Sequence, residues 1–141
     1  MNTTLIIHLL QFAGVLHLGL LCAGLTMPRV VQFRANLAAL PPFMRQLFWV
    51  YYVFIGFCLI GFGTLTFAMA STLAYGTLLA RAVCLFLAAF WTLRLFVASF
   101  IFDVTPYLTN SFRRAGHYAT NAVFVYLPLI YLLAAWKGGK P

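Results

Sequence analysis

The stretch Phe86-Leu-Ala-Ala-Phe-Trp-Thr-Leu-Arg-Leu-Phe-Val-Ala-Ser-Phe-Ile-Phe102 decides the fold, because it is apolar enough to cross a lipid bilayer and yet carries an arginine. A helix needs about 20 largely apolar residues to span the hydrocarbon, and further apolar residues precede Phe86. The guanidinium group of Arg94 stays protonated in proteins. We therefore expect neighbouring groups to stabilise a charge inside this span.

The composition is typical of membrane proteins. Hydrophobic residues make up 65% of the chain, charged residues 7%, and one acidic residue stands against nine basic ones. The basic residues lie mostly between or beside the apolar runs, as expected of loops that lie against anionic headgroups. We expect no nucleic-acid partner, because the sequence lacks a basic stripe with interleaved aromatic residues.

Hydropathy divides the chain into four apolar runs, so we predict an all-α fold: a single-domain integral membrane bundle of four transmembrane helices over residues 1–141. Between helices one and two we predict a short interfacial amphipathic helix, with Thr26 as its N-cap and Pro28 near its first turn. The first run lacks the basic region of a secretory signal, and we expect it to be retained. The predicted bounds are 5–26, 44–70, 78–102 and 119–136 for the spans, and 28–41 for the interfacial helix.

Two residue types predict how the spans pack. Gly56, Gly61 and Gly63 narrow the second span, which favours close approach of a neighbouring helix. Pro128 interrupts the hydrogen bonding of the fourth span and predicts a kink there. Both residue types lie inside the predicted helices, so we expect them to affect how the helices pack.

Basic residues predict the orientation of the bundle. Five arginines lie in the two longer connections, between helices one and two and between helices three and four, against three basic residues on the opposite side. By the positive-inside rule, the longer loops face the cytoplasm of a bacterial-type inner membrane and both termini face outward. The basic residues of the longer loops are Arg29, Arg34, Arg45, Arg113 and Arg114.

Rare polar residues recur at one predicted depth. His17 and Arg94 each lie about 12 to 14 Å from the cytoplasmic ends of their helices, at a rise of about 1.5 Å per residue. Counting inward along helices two and four brings Tyr52 and Tyr126 near the same level. We predict a midplane polar layer of these four residues, able to bind the carbonyl of a quinone or the anionic head of a lipid.

Other roles for Arg94 stay open at this point. Its side chain can bond backbone carbonyls freed by Pro128, or a carboxylate of another subunit. Asp103, the chain's one acid, is nine residues further along the same helix and out of reach by this count. The guanidinium can also extend to the membrane interface.

The histidines and cysteines do not predict a metal site. His8 and His17 are nine residues apart, which places them on opposite faces of one helix and about 13 Å apart along its axis. His117 lies at another depth, so we do not expect a haem b ligated within one chain, although a haem shared with a partner chain stays open. The three cysteines form neither a CxxC motif nor a cluster with histidine.

The second polar concentration follows the third span. Asp103, Arg113 and Arg114 lie in a segment rich in hydroxyl groups. A salt bridge between Asp103 and one of the arginines is expected to order this connection, and headgroup binding and partner docking are the alternatives. The spacing matches no set of catalytic residues, so we do not expect an enzyme.

Together these features favour a small subunit or accessory protein of a larger membrane complex, such as an electron-transfer assembly. Its expected role is to pack against and stabilise partner helices, in contact with membrane lipids, and to frame a lipid, quinone or pigment site. The aromatic content of 18% suits lipid chains and pigments alike. The alternative is a membrane redox module that binds quinone or haem b at the level of His17 and Arg94.

Overall fold

The computed structural model describes residues 2–102, 104–107 and 109–138, and these residues form helices and no strand. Four helices are long and apolar enough to cross a membrane. The predicted all-α bundle of four spans is therefore confirmed. The long helices are α1 (Thr3–Val30), α3 (Pro42–Ala68), α5 (Leu78–Phe100) and α6 (Ser111–Lys137), and the connections contain α2 (Phe33–Ala38), α4 (Ala70–Ala74) and a 3-10 turn (Thr105–Tyr107).

The long helices pack as two pairs, α1 with α3 and α5 with α6, and α1 also contacts α6. Successive long helices run in opposite directions. We call the end where α1 and α5 finish and α3 and α6 begin the loop end, because both longer connections lie there. The opposite end, where α1 begins, α6 ends and α4 lies, is the terminus end.

The core lies in the half of the bundle next to the terminus end. Its fully shielded side chains include Leu10, Cys84, Leu87 and Leu127. The buried residues of α5 end at Trp91, and those of α6 begin only at Phe124. Towards the loop end the long helices bury almost nothing against one another.

Two glycines bring α1 and α3 together in that core. A Cβ atom added to Gly14 would lie 2.7 Å from Cβ of Phe67, and one added to Gly63 would lie 2.9 Å from Cβ of His17. The close approach predicted at Gly63 is therefore present. A Cβ atom added to Gly56 would make only an ordinary van der Waals contact, and one added to Gly61 would meet nothing within 4 Å.

The terminus end is closed by α5, α6 and the turn before α5. Gly76 adopts φ +66°, and a Cβ atom there would collide with the backbone of Gly138. Arg81 donates from Nη2 to the carbonyl oxygen of Gly138 at 3.1 Å. The last turn of α6 is thus fixed against the start of α5.

The first span is longer than predicted, because Pro28 does not end α1. Proline has no N–H to donate to the carbonyl four residues back, which here belongs to Gly24. The hydroxyl of Tyr52 donates to that carbonyl oxygen at 2.7 Å and replaces the missing bond. Thr26 is not an N-cap, since its hydroxyl donates to the carbonyl of Ala23 within the same helix at 2.7 Å.

Other boundaries also differ from the prediction. The interfacial helix is reduced to the six residues of α2, because the chain turns at Gln32 with φ 50°. The fourth span begins eight residues earlier than predicted, at Ser111. Hydropathy marks only the apolar part of a span, whereas helical hydrogen bonding continues into the polar first turns.

Candidate functional site

His17 is the most buried of the predicted site residues, with 0% of its surface exposed. Its Nδ1 lies 2.7 Å from the carbonyl oxygen of Ala13. A carbonyl can only accept, so Nδ1 carries the proton and Nε2 is left with a lone pair. The ring meets Trp91 at 5.1 Å and Tyr131 at 6.4 Å between centroids, both edge to face.

A small polar cluster surrounds His17 in the core. Tyr131 and Thr66 are fully buried and share a hydrogen bond of 2.7 Å between their oxygens. Nε2 of His17 and Nε1 of Trp91 have no hydrogen-bond partner within the described part of the chain. These two atoms are complementary, because the first accepts and the second donates. We call His17, Thr66, Trp91 and Tyr131 the His17 cluster.

Arg94 lies one turn beyond Trp91, towards the loop end. Its guanidinium carbon is 5.0 Å from the ring centroid of Phe124 and 5.4 Å from that of Phe102. Phe102 lies two residues beyond the last residue of α5, so the side chain of Arg94 extends towards the loop end. Contact with two aromatic rings at these distances stabilises a cation within an apolar segment.

The two tyrosines of the predicted layer lie at different levels. Tyr52 donates to the carbonyl of Gly24 at 2.7 Å, and Tyr126 to the carbonyl of Leu9 at 3.1 Å. These carbonyls are fifteen residues apart on α1, which corresponds to about 22 Å along the axis. The prediction of one midplane layer is wrong, because the structure does not bring the four residues together.

Counting residues from the helix ends predicted the depth of His17 but did not predict its neighbours. Side chains on a helix lean towards its N-terminus, so a count of residues along the axis does not fix where a side chain ends. Tyr131 of α6 contacts His17 of α1, with 6.4 Å between the ring centroids. Trp91 carried a signal in the sequence, since it precedes Arg94 by three residues and therefore shares a face with it.

The polar connection at the loop end is ordered by Arg113. Its Nη1 lies 3.4 Å from the carbonyl oxygen of Tyr107 and 3.2 Å from Oγ1 of Thr109. Arg114 follows on an exposed position of α6. Asp103 lies outside the described residues, so the predicted salt bridge stays a prediction.

A cavity of about 570 Å³ opens at the loop end between α1, the end of α5 and the start of α6. Ligand pockets commonly measure about 300 to 1,000 Å³. We call it the loop-end cavity; neither His17 nor Arg94 lines it. Apolar side chains form most of its wall, and its polar residues include Thr26, Arg113, His117 and Thr120.

Within the described residues, no three or more histidine, cysteine or acidic side chains come together in a way that suits a metal ion. His117 of the loop-end cavity is instead bonded to Asn121, with 3.0 Å between Nε2 and Nδ2. In comparisons with protein-family models, curated proteins and solved structures, nothing matched this chain.

Proposed function

We propose that this protein is a small integral membrane subunit of a larger membrane assembly, and that α3 packs against a transmembrane helix of a partner protein. The observation that carries the proposal is the low burial of α3. Of its 27 residues, two are buried, Gly63 and Thr66. Both lie in its last two turns, so no residue of this long helix before Gly63 is buried by its own chain.

The other long helices provide the comparison. Six residues are buried in α1, five in α5 and six in α6. Helices associate in membranes through close van der Waals packing, and α3 makes that packing mainly with α1. A partner helix beside α3 completes a packing arrangement that the chain itself leaves one-sided.

The loop-end half of α3 is open around much of its circumference. The consecutive residues Val53, Phe54 and Ile55 are 65%, 63% and 61% exposed, although successive side chains on a helix point about 100° apart. Gly61 continues the open surface, with nothing within 4 Å of an added Cβ atom. Small residues on open helix surfaces favour helix contacts over lipid contacts, because they let a second backbone approach.

The proposed orientation places the loop end in the cytoplasm of a bacterial-type inner membrane. Five arginines in and beside the two longer connections support it, against Arg81 and the two lysines of the C-terminal segment. Fusing a reporter active only in the cytoplasm to the C-terminus tests this orientation. Activity of that fusion would reverse the assignment.

Photocrosslinking in native membranes tests the partner. A photoreactive amino acid at Phe54 of α3 is expected to give a discrete adduct with one larger protein. The matched control is Leu129, which is 58% exposed on the outer face of α6 and is expected to give none. If neither position gives a protein adduct, and the protein is extracted from native membranes as a monomer, α3 faces lipid and the proposal fails.

The alternative function, a haem- or quinone-binding redox module, is favoured by the state of His17. Its Nδ1 is bonded to a carbonyl and its Nε2 is left without a partner in the described residues, a pattern shared with metal-ligating histidines. A Soret band in the protein purified from its native membrane would support the haem form. A spectrum without one would remove it.

A further inference from the structure

We propose that the loop-end cavity binds a single-chain amphiphile with an anionic head. The head would lie at Arg113 and His117, and the chain would lie among the apolar walls supplied by α1 and α5. A fatty-acid carboxylate and a single-chain lipid phosphate share this chemistry. The inference does not depend on the partner of α3, because the cavity lies between α1, α5 and α6.

The walls suit an acyl chain. Met27 and Val30 of α1 face the cavity together with Ile101 and Phe102 at the end of α5. Transfer of methylene groups from water into such surroundings is favourable and adds along a chain. The volume, about 570 Å³, falls within the range that holds one drug-sized ligand, which favours one chain over two.

The head region offers a permanent cation held in place. Arg113 is fixed by its contacts from Nη1 to the carbonyl of Tyr107 and to Oγ1 of Thr109. A guanidinium has five N–H donors in a planar fork and accepts no hydrogen bond. Carboxylates and phosphates match that fork with two parallel hydrogen bonds.

His117 adds a second donor. The amide nitrogen of Asn121 can only donate, so Nε2 of His117 accepts at 3.0 Å and the proton of the neutral ring sits on Nδ1. The hydroxyls of Thr26 and Thr120 donate to carbonyls of their own helices. The side-chain donors left for a ligand are those of Arg113 and His117 and the hydroxyl of Tyr107, which also lines the cavity, and this set favours a ligand rich in acceptors and negative charge.

The depth of the cavity agrees with an amphiphile. The 27 residues of α6 extend about 40 Å, against a hydrocarbon core of roughly 30 Å. We place its first two turns, with Arg113 and His117, at the headgroup level, because the apolar part of the helix follows them. The chain also has nine basic residues and one acid, so anionic groups must come largely from outside it.

A displacement titration tests the head. The full-length protein in an uncharged maltoside detergent is titrated with a fluorescent fatty acid, which palmitate is expected to displace and hexadecanol is expected to displace at least about tenfold less well. Arg113→Gln should weaken fatty-acid binding at least about tenfold. Arg34→Gln, which removes an exposed arginine outside the cavity, should leave binding unchanged.

A second pair of variants tests the location. A Cβ atom on Gly116 or Gly19 would meet nothing within 4 Å, but only Gly116 lines the cavity. Gly116→Leu should fill the cavity and abolish binding, whereas Gly19→Leu should bind as the wild type does. Since neither Cβ atom meets a neighbour, both variants are expected to fold, and their unfolding temperatures check this.

Competitors of defined chemistry identify the head and separate the outcomes. A single-chain lipid phosphate that displaces the probe better than palmitate assigns the site to phosphate, and the reverse assigns it to carboxylate. Inorganic phosphate alone should displace nothing. Equal displacement by hexadecanol and palmitate, equal displacement by a diacyl phosphatidate, or unchanged binding in Gly116→Leu would each overturn the proposal.

Discussion

At the terminus end, Leu10, Cys84 and Tyr131 are shielded from every side, whereas at the loop end Val53, Phe54 and Ile55 have most of their surface exposed. Both halves are apolar, so hydropathy does not separate them. In a bilayer an apolar side chain gains little by leaving lipid for protein. Packing therefore has to be specified by close-fitting surfaces and by polar contacts. The two halves differ in how many close fits and buried polar contacts they have.

The packed half has both kinds of specification. Gly14 and Gly63 let two backbones meet, and the His17 cluster brings polar side chains into contact, with Thr66 and Tyr131 sharing a hydrogen bond. The open half has a cavity and the start of α3, most of whose residues are exposed. We infer that the first half maintains the fold and the second meets lipids, ligands and partners.

Replacing Trp91 by alanine, in the packed half, is expected to destabilise the protein most. Trp91 is 2% exposed and contacts His17 and Phe124, and truncating a buried tryptophan costs about 3 to 5 kcal/mol. Trp49→Ala in the open half, where that ring is 38% exposed, should cost about 1 kcal/mol. Thermal unfolding in maltoside detergent, followed by circular dichroism, measures both. Equal costs would mean that the halves are equally important for stability.

Adding one methyl group to Gly63 tests the close contact. The new Cβ atom would lie 2.9 Å from Cβ of His17 and 3.1 Å from the carbonyl oxygen of Gly14, and overpacking of this kind costs about 1 to 3 kcal/mol. Gly61→Ala is the matched control, two residues away in open space, and should not destabilise the purified protein. If Gly63→Ala is as stable as Gly61→Ala, the contact between α1 and α3 is looser than described.

The spans could be predicted from the sequence because hydropathy reports the surrounding solvent directly. Their ends could not, since helical hydrogen bonding continues beyond the apolar part, as at Ser111. At Pro28 a contact distant in sequence replaced the bond that proline lacks. Tyr52 supplies that bond from another helix, and no local pattern indicates it.

The candidate site was harder to predict than the spans. The burial of a polar group at His17 was expected, but its neighbours were not, because distance along a helix fixes neither the face nor the lean of a side chain. The loop-end cavity is lined by residues of α1, α5 and α6 that are distant in sequence, and no local pattern indicates that they come together. Asp103 lies outside the described residues, and its predicted salt bridge stays a prediction.

A double-mutant cycle examines the hydrogen bond by which Tyr52 ties α3 to the last part of α1. Tyr52→Phe removes the donor to the carbonyl of Gly24 and is expected to cost about 1 kcal/mol. In a Pro28→Ala background the backbone N–H of residue 28 can bond that carbonyl, so the same change should cost clearly less. Tyr51→Phe, at an exposed neighbouring position, should have no effect. Identical costs in the two backgrounds would show that the hydroxyl does not substitute for the proline's missing donor.

The smallest effect is expected from Arg94→Leu, although Arg94 is the least expected residue in the sequence. The guanidinium contacts the rings of Phe102 and Phe124, an interaction worth about 0.5 to 2 kcal/mol, and leucine regains part of this by packing. We therefore expect the purified variant to lose less than about 1 kcal/mol in thermal unfolding. Arg94→Lys, which keeps the charge, controls for the cation itself. Arg94→Leu could also fold in detergent but fail to copurify with larger chains from native membranes. That result would mean that the cation meets a partner's carboxylate, and that the partner contacts α5 as well as α3.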